Sequence, residues 1–537
     1  MLYYSSYKLT FHLKEGVTMK RKILLVTAVL MLGLSLILSN QTTSEAADPK
    51  YGGTLRVAME AEPPTIDGHW TTATIVSVIA HHYLEPLFTF NNKYSIIPML
   101  AESYKIQEGG KVYIIKLRQG VPFHNGKEMT SADVVASITR WGKIATVGKR
   151  LFSQVESFKA IDKYTVEFRM RGPSGIVLPS LANVNQIPGI YPKEIIDEAG
   201  DGQVKQFIGT GPFKFVERIP DRHTKFVRFD KYAARKEPAT GFGGKKIPYV
   251  DELIFIPVPD VTTRIAGTQS GDFDVGNRLA PDAYKRLKED PKLDPVIVKA
   301  GDYIVGVFNK KTGPFTNKKL RQAALAALDM EAIMKGAMGQ EEFYGLHNSV
   351  IAMRESIWWT DVGKEQYNQK NKEKAKQLLK EAGYKGEPIR WMCTMAYEWM
   401  YKSSLVAKQQ LEDVGFKVDL QVLDWATVVQ RRNDPSFYDV FVTGMIFFGD
   451  PTQVLTLSCD WPGWTCIPGV EALMNKLTQE TVYEKRFALW KEIQKIYWDE
   501  VPVLQFGDYY ILRVKQKKVK GNFNMIEPFF WNAWIEK

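Results

Sequence analysis

The chain has 537 residues, 45% hydrophobic, 24% charged and 12% aromatic. That balance excludes a disordered, collagenous or polytopic membrane protein, and the length calls for at least two lobes. Lys and Arg outnumber Asp and Glu by 71 to 60, a net charge of +11, so the location of the excess decides whether nucleic acid, a membrane surface or acidic substrates come into question.

The N-terminus opens with Met19-Lys20-Arg21-Lys22, an apolar run over 23–38, and a small polar stretch to Asp48. A basic start, a short apolar core and small residues before an acid read as a cleaved secretory signal over 1–47, starting at Met19 and cut after Ala46 or Ala47. The run is shorter than the ~20 residues of a bilayer span, and no Cys follows it to carry a lipid anchor. Residues 1–47 hold five Lys/Arg and two acids, which leaves +8 beyond them. The expectation is a soluble periplasmic product.

Glycines lead into a strand over 54–59 and a helix follows over 74–84, ended by Pro86. A β-rich run covers 111–117. A helix begins at Ser131 with Thr130 or Ser131 as its cap and Asp133 near its positive end. Alternation over 164–170 predicts a strand, and the Ala-rich segment 321–338 predicts a helix. Helices are expected over 372–382, 403–414 and 484–500, and a strand over 416–422. Interleaved strands and helices favour α/β lobes.

Of the three cysteines, Cys459 and Cys466 flank Asp460-Trp461-Pro462-Gly463-Trp464-Thr465. Pro and Gly favour a turn that closes a local disulfide in an oxidising compartment. Zinc is the alternative, and two thiols without a nearby His do not supply its ligand set. Cys393 reads as a buried small apolar residue. No nucleophile elbow, zinc-protease pair or phosphate loop is present. Gly209-Thr210-Gly211 begins like a dinucleotide loop, but Pro212 and Phe213 stand where a helix should start. Adjacent His81 and His82 point about 100° apart on a helix and do not suit one metal ion. Basic residues are mixed with acids; the densest run, 513–520, reads as a solvated strand face, so no nucleic acid partner is expected.

A set of segments then occurs in a fixed order: Gly52-Gly53-Thr54-Leu55, Glu62-Pro63-Pro64-Thr65-Ile66-Asp67, Tyr83-Leu84-Glu85-Pro86-Leu87, Val121-Pro122-Phe123-His124-Asn125-Gly126, Gly209-Thr210-Gly211-Pro212-Phe213, Gln269-Ser270-Gly271-Asp272-Phe273-Asp274 and Glu500-Val501-Pro502. The ordered set resembles the extracytoplasmic solute-binding proteins of ABC importers, in the family 5 class that includes dipeptide-, oligopeptide- and nickel-binding members. Most of these residues suit turns, caps and packing. The resemblance implies an α/β, two-lobed periplasmic-binding-protein fold, class II and of the large peptide-binding type. Lobe I would cover 48–302, lobe II 303–505, and 506–537 would return to lobe I. It implies a monomer that captures short peptides, hands them to membrane permease subunits, and uses no catalytic residue, cofactor or metal. Another small polar solute, such as an opine-like compound or metal chelate, is the alternative in the same role, and a secreted hydrolase the alternative outside it.

In peptide-binding members an Asp upstream of the disulfide loop holds the ligand's amino group. Asp450, in Gly449-Asp450-Pro451, resembles it, while Thr452-Gln453 departs from the usual continuation; the alternative for Asp450 is a turn before Pro451. Trp461, Trp464, Trp399 and Tyr401 are candidates for an aromatic ligand wall. Arg431 is a candidate for a ligand carboxylate.

Overall fold

The structure, a computed structural model, describes residues 48–299, 301–395, 397–446, 448–521 and 528–536; the expected signal segment lies outside them. Among the described residues no helix is long and apolar enough to cross a membrane.

Two large sheets divide the chain after residue 50. In lobe I a seven-stranded sheet has the order Leu293–Val298, Ile511–Gln516, Val275–Leu279, Thr54–Met59, Glu252–Pro257, His223–Arg228, Phe213–Ile219. In lobe II a six-stranded sheet has the order Tyr344–Gly345, Val503–Tyr509, Tyr303–Phe308, Val440–Met445, Pro388–Cys393, Lys417–Val422. Each sheet has its own apolar core: one gathers residues from 55 to 298 with 511–533 and Met353, the other residues from 303 to 506. A third, four-stranded sheet, Ala101–Gln107, Val112–Leu117, Thr165–Met170 and Val155–Asp162, packs into the first core. The sequence reading did not separate it.

The chain crosses between the large sheets twice. The first crossing leads from the strand Leu293–Val298 to the strand Tyr303–Phe308. The second is Tyr510, between Val503–Tyr509 and Ile511–Gln516. The return to lobe I therefore begins after Tyr509 and not at 506: Val503–Tyr509 pairs with Tyr303–Phe308, and Phe506 is buried in the lobe II core. The Tyr509 amide donates to the Asp302 carbonyl at 3.0 Å, tying the crossings together.

Several elements depart from expectation for local reasons. The segment 321–338 is two helices, Lys318–Ala327 and Met330–Met338, because the Asp329 side chain accepts from the Ala332 amide and starts a new helix. The helix expected over 403–414 starts five residues earlier, as Glu398–Glu412. Ser131–Ile144 begins as expected, with the Thr130 amide and hydroxyl both donating to Asp133 at 2.8 Å. The basic run 513–520 is not a solvated face. Arg513 is buried and donates to Asn277, while Lys515 and Lys518 pair with Asp294 and Asp274.

The ordered motifs interlock inside lobe I. Asp67 takes the Arg140 guanidinium at 2.7 Å and the amides of His69 and Val204. Buried Glu85 accepts from Thr210 at 3.1 Å and Tyr232 at 2.7 Å. His124 receives the Gly209 amide and bonds the Gly211 carbonyl. A Cβ at Gly209 would overlap the Tyr83 carbonyl. His81 and His82 each bond a backbone carbonyl, and burial pulls both down to about 3, so they are neutral core residues.

Candidate ligand-binding site

Parallel strands decide where a ligand can enter, because in open α/β sheets the crevice lies beyond their carboxyl ends. In lobe I, Thr54–Met59 runs parallel to Glu252–Pro257 and Val275–Leu279, and the strand ends deliver Glu60, Asn277 and Arg278. In lobe II, Pro388–Cys393 runs parallel to Lys417–Val422 and Val440–Met445, and their ends lead to Met395, Tyr397, Trp399 and Ile446. Both sets of ends lie at the crossings. Tyr303 pairs with Met445 in one sheet, and Val298 with Ile511 in the other.

One connected group of side chains bridges the lobes there. The Asp302 carboxyl is buried and accepts the Tyr509 hydroxyl, with the Arg278 charge nearby. Burial pushes Asp302 up to about 6; Arg278 and the Tyr509 hydroxyl oppose the rise, and Asp508 adds to it. The Trp399 indole stacks on the Tyr509 ring, centroids 4.8 Å apart and planes 22° from parallel, and Tyr397 lies 5.8 Å from Trp399. Gly444 leaves room for this stack: a Cβ there would come within 2.8 Å of the indole. On the lobe I side, Glu60 lies 3.3 Å from Arg278 and accepts from Asn277 at 3.0 Å. Arg278 has φ +48, a conformation that side-chain-bearing residues adopt rarely and that clusters at functional sites. Met395, Tyr397 and Ile446 are 59%, 43% and 42% exposed, an apolar lip at the lobe II strand ends. The arrangement offers a flat aromatic face, a cation for a carboxylate, and acids for an amino group.

The sequence candidates fall in separate places. Trp399 is in the bridging group, and Tyr401 is half-buried against the lobe II core. Trp461 and Trp464 lie by the opposite ends of the same strands, Trp461 near Phe441 at 5.8 Å and Trp464 near Tyr438 at 6.2 Å. Tyr303↔Met445 and Phe308↔Val440 are five residues apart, about 17 Å along a strand, so the four aromatics do not make one wall. Arg431 covers the Phe437 ring at 5.3 Å. Cys459 and Cys466 are disulfide-bonded with Cα atoms 4.6 Å apart, and Cys393 is buried.

Asp450 is not an open carboxylate. It is 1% exposed, Arg486 grips both its oxygens at 2.8 and 2.9 Å, and the Thr452 amide and hydroxyl donate to it at 3.0 and 2.7 Å. Four donors surround it, and it starts the turn Pro451–Gln453. The arrangement is the turn-forming alternative, with Arg486 as a partner no local pattern marks. Glu60, Arg278, Asp302 and Tyr509 of the bridging group were not among the sequence candidates. In the sequence Asp302 marks only the expected end of lobe I, and Gly444 inside an apolar strand was the available sign of a close approach.

The family model described as "Bacterial extracellular solute-binding proteins, family 5 Middle" matches residues 95–464. The chain belongs to this family. It is 30% identical over 515 residues to a protein of Sinorhizobium fredii named "Probable peptide ABC transporter periplasmic-binding protein", covering 91% of this chain and 94% of that one. The oligopeptide-binding protein AppA of Bacillus subtilis, solved with a nonapeptide, superposes with a TM-score of 0.72 at 23% identity, covering 91% of this chain and all of that one. The binding protein AgaA of A. tumefaciens R10, solved with agropinic acid, gives 0.73 at 23% identity, covering 90% and 99%. These superpositions establish the two-lobed periplasmic-binding-protein fold for the family 5 chain.

Proposed function

We propose that this family 5 protein captures short peptides between its lobes in the periplasm and presents them to the permease subunits of an ABC importer. The observation that carries the reading is the bridging group at the crossings, in which Trp399 and Tyr509 supply an aromatic face beside Arg278, Glu60 and Asp302. A peptide has a carboxylate, an amino group and side chains of varied shape, and this set answers each without enclosing one particular shape. The relative named for peptide transport supports the same ligand class. In this reading Arg278 meets the peptide carboxylate and Trp399 a side chain. Asp450 acts on the shape of lobe II and not on the ligand amine. A saturable rise in melting temperature with short peptides, and peptide in the mass spectrum of material released from natively purified protein, are expected. Turnover of peptides without such a shift would assign hydrolysis instead. Release of an opine-like acid or a metal chelate would keep the role and change the cargo.

A further inference from the structure

The lobes touch a second time, away from the crossings, and glycines make the contact possible. On lobe I it involves Gly175, in the loop after Thr165–Met170, and Arg150, in the helix Thr146–Phe152. On lobe II it involves the turn Pro451–Gln453 and the end of the helix Pro468–Gln479. The Gly175 amide donates to the Thr478 carbonyl at 2.5 Å, and Arg150 donates to the Thr452 carbonyl at 2.6 Å. Thr478 is in the last turn of its helix, where carbonyls have no partner inside the helix. An amide from the other lobe fills that vacancy. Asp450 and Asp460 both attract Arg150.

The steric facts point the same way. A Cβ at Gly175 would overlap the Glu480 carbonyl, and the three atoms nearest to it all belong to lobe II. A Cβ at Gly449 would overlap the Phe90 ring of lobe I, which supplies the three atoms nearest to it. Neither glycine has a positive φ, so each lobe by itself would accept alanine at these positions. The closest obstacle to a side chain at each position is supplied by the other lobe.

We infer that this contact is a closure latch, in which Gly175 admits the closed form, Arg150 holds it, and Asp450 with Arg486 positions the Thr452 carbonyl to receive Arg150. Asp450 is thus a positioning residue for closure, reached through the turn it caps. The latch rests on the peptide reading only for its cargo. Its effect is on ligand release, since the contact forms after a ligand enters and must break before it leaves.

The test compares wild type with Arg150→Ala, Arg150→Lys and Gly175→Ala by small-angle X-ray scattering and by stopped-flow release of the tripeptide Ala-Phe-Ala. Arg150 lies at an exposed rim, so Arg150→Ala is expected to release peptide about fivefold faster. Its association rate and peptide-free melting temperature should not change, and Arg150→Lys should recover most of the loss. Gly175→Ala should keep the peptide-free scattering profile at saturating peptide, where wild type contracts. An unchanged release rate in Arg150→Ala, or full contraction in Gly175→Ala, overturns the latch. If wild type takes up no Ala-Phe-Ala, the peptide reading is what fails. The latch is then read with the solute that denaturation releases from natively purified wild type: it must contract wild type and not Gly175→Ala, and equal contraction of the two overturns it.

Discussion

Burial holds the Asp302 carboxyl at about 6, above its ordinary value of 3.8, and that displacement has a definite sign in stability. Between the two values the folded chain keeps a proton that the unfolded chain has released. The contribution is therefore fully present below pH 3.8 and is lost as pH rises through about 6. A displacement of this size corresponds to about 3 kcal/mol. Asp302→Asn cannot ionise, so the melting temperature of wild type minus that of the variant should fall between pH 4 and pH 7. A constant difference would show that Asp302 ionises freely. Trp399 is half-buried and stacked on one ring, so Trp399→Ala should raise the Kd for peptide at least tenfold with little change in melting temperature; titration calorimetry checks it. Trp399 was among the sequence candidates because it stands in an aromatic cluster, which the structure places in the first turn of the helix Glu398–Glu412. Arg278, Asp302 and Tyr509 were not, because Tyr509 meets the other two across more than 200 residues of sequence and each has an ordinary local reading.

Among elements, local signals located the helix starting at Ser131 and the disulfide loop, and failed where a side chain's partner is distant. The turn Pro451–Gln453 is the clearest failure: Asp450-Pro451 announces a turn, but Arg486, 36 residues on, decides that the carboxylate is enclosed. Asp450→Asn removes half of a buried ion pair and leaves Arg486 uncompensated, which should cost about 3 kcal/mol or more in urea unfolding. Intact stability with lost peptide affinity would return Asp450 to the role of amine clamp. The disulfide makes the opposite prediction for binding. Its cysteines are seven positions apart, and a loop that short limits the unfolded chain by about 2 kcal/mol. Its tryptophans lie by the strand ends remote from the crossings. Replacing both cysteines by serine should lower stability by about that amount and leave the peptide Kd unchanged, as calorimetric titration of the double variant would show.

At the scale of the whole molecule, length alone pointed to two lobes, and the family resemblance put their boundary between residues 302 and 303. The strand Ile511–Gln516 shows why the second was harder to place. It lies between Leu293–Val298 and Val275–Leu279, so lobe I is incomplete until the chain's end returns, whereas lobe II is continuous from 303 to 509. Apolar strands on either side of Tyr510 give no local sign of which sheet they join. This topology also governs unfolding. Each lobe has its own main core, with only a small cluster around Phe343 shared between them, and the described covalent links are the two crossings, so the ligand-free lobes are weakly coupled in melting. Scanning calorimetry of ligand-free protein should resolve two overlapping transitions. A peptide bound between the lobes, as proposed, would stabilise only the joined form, by about 2.7 kcal/mol at a hundredfold excess over Kd. It should therefore move both transitions upward and merge them. A single ligand-free transition with equal calorimetric and van't Hoff enthalpies would show instead that the crossings and the rim contact already couple the lobes into one cooperative unit.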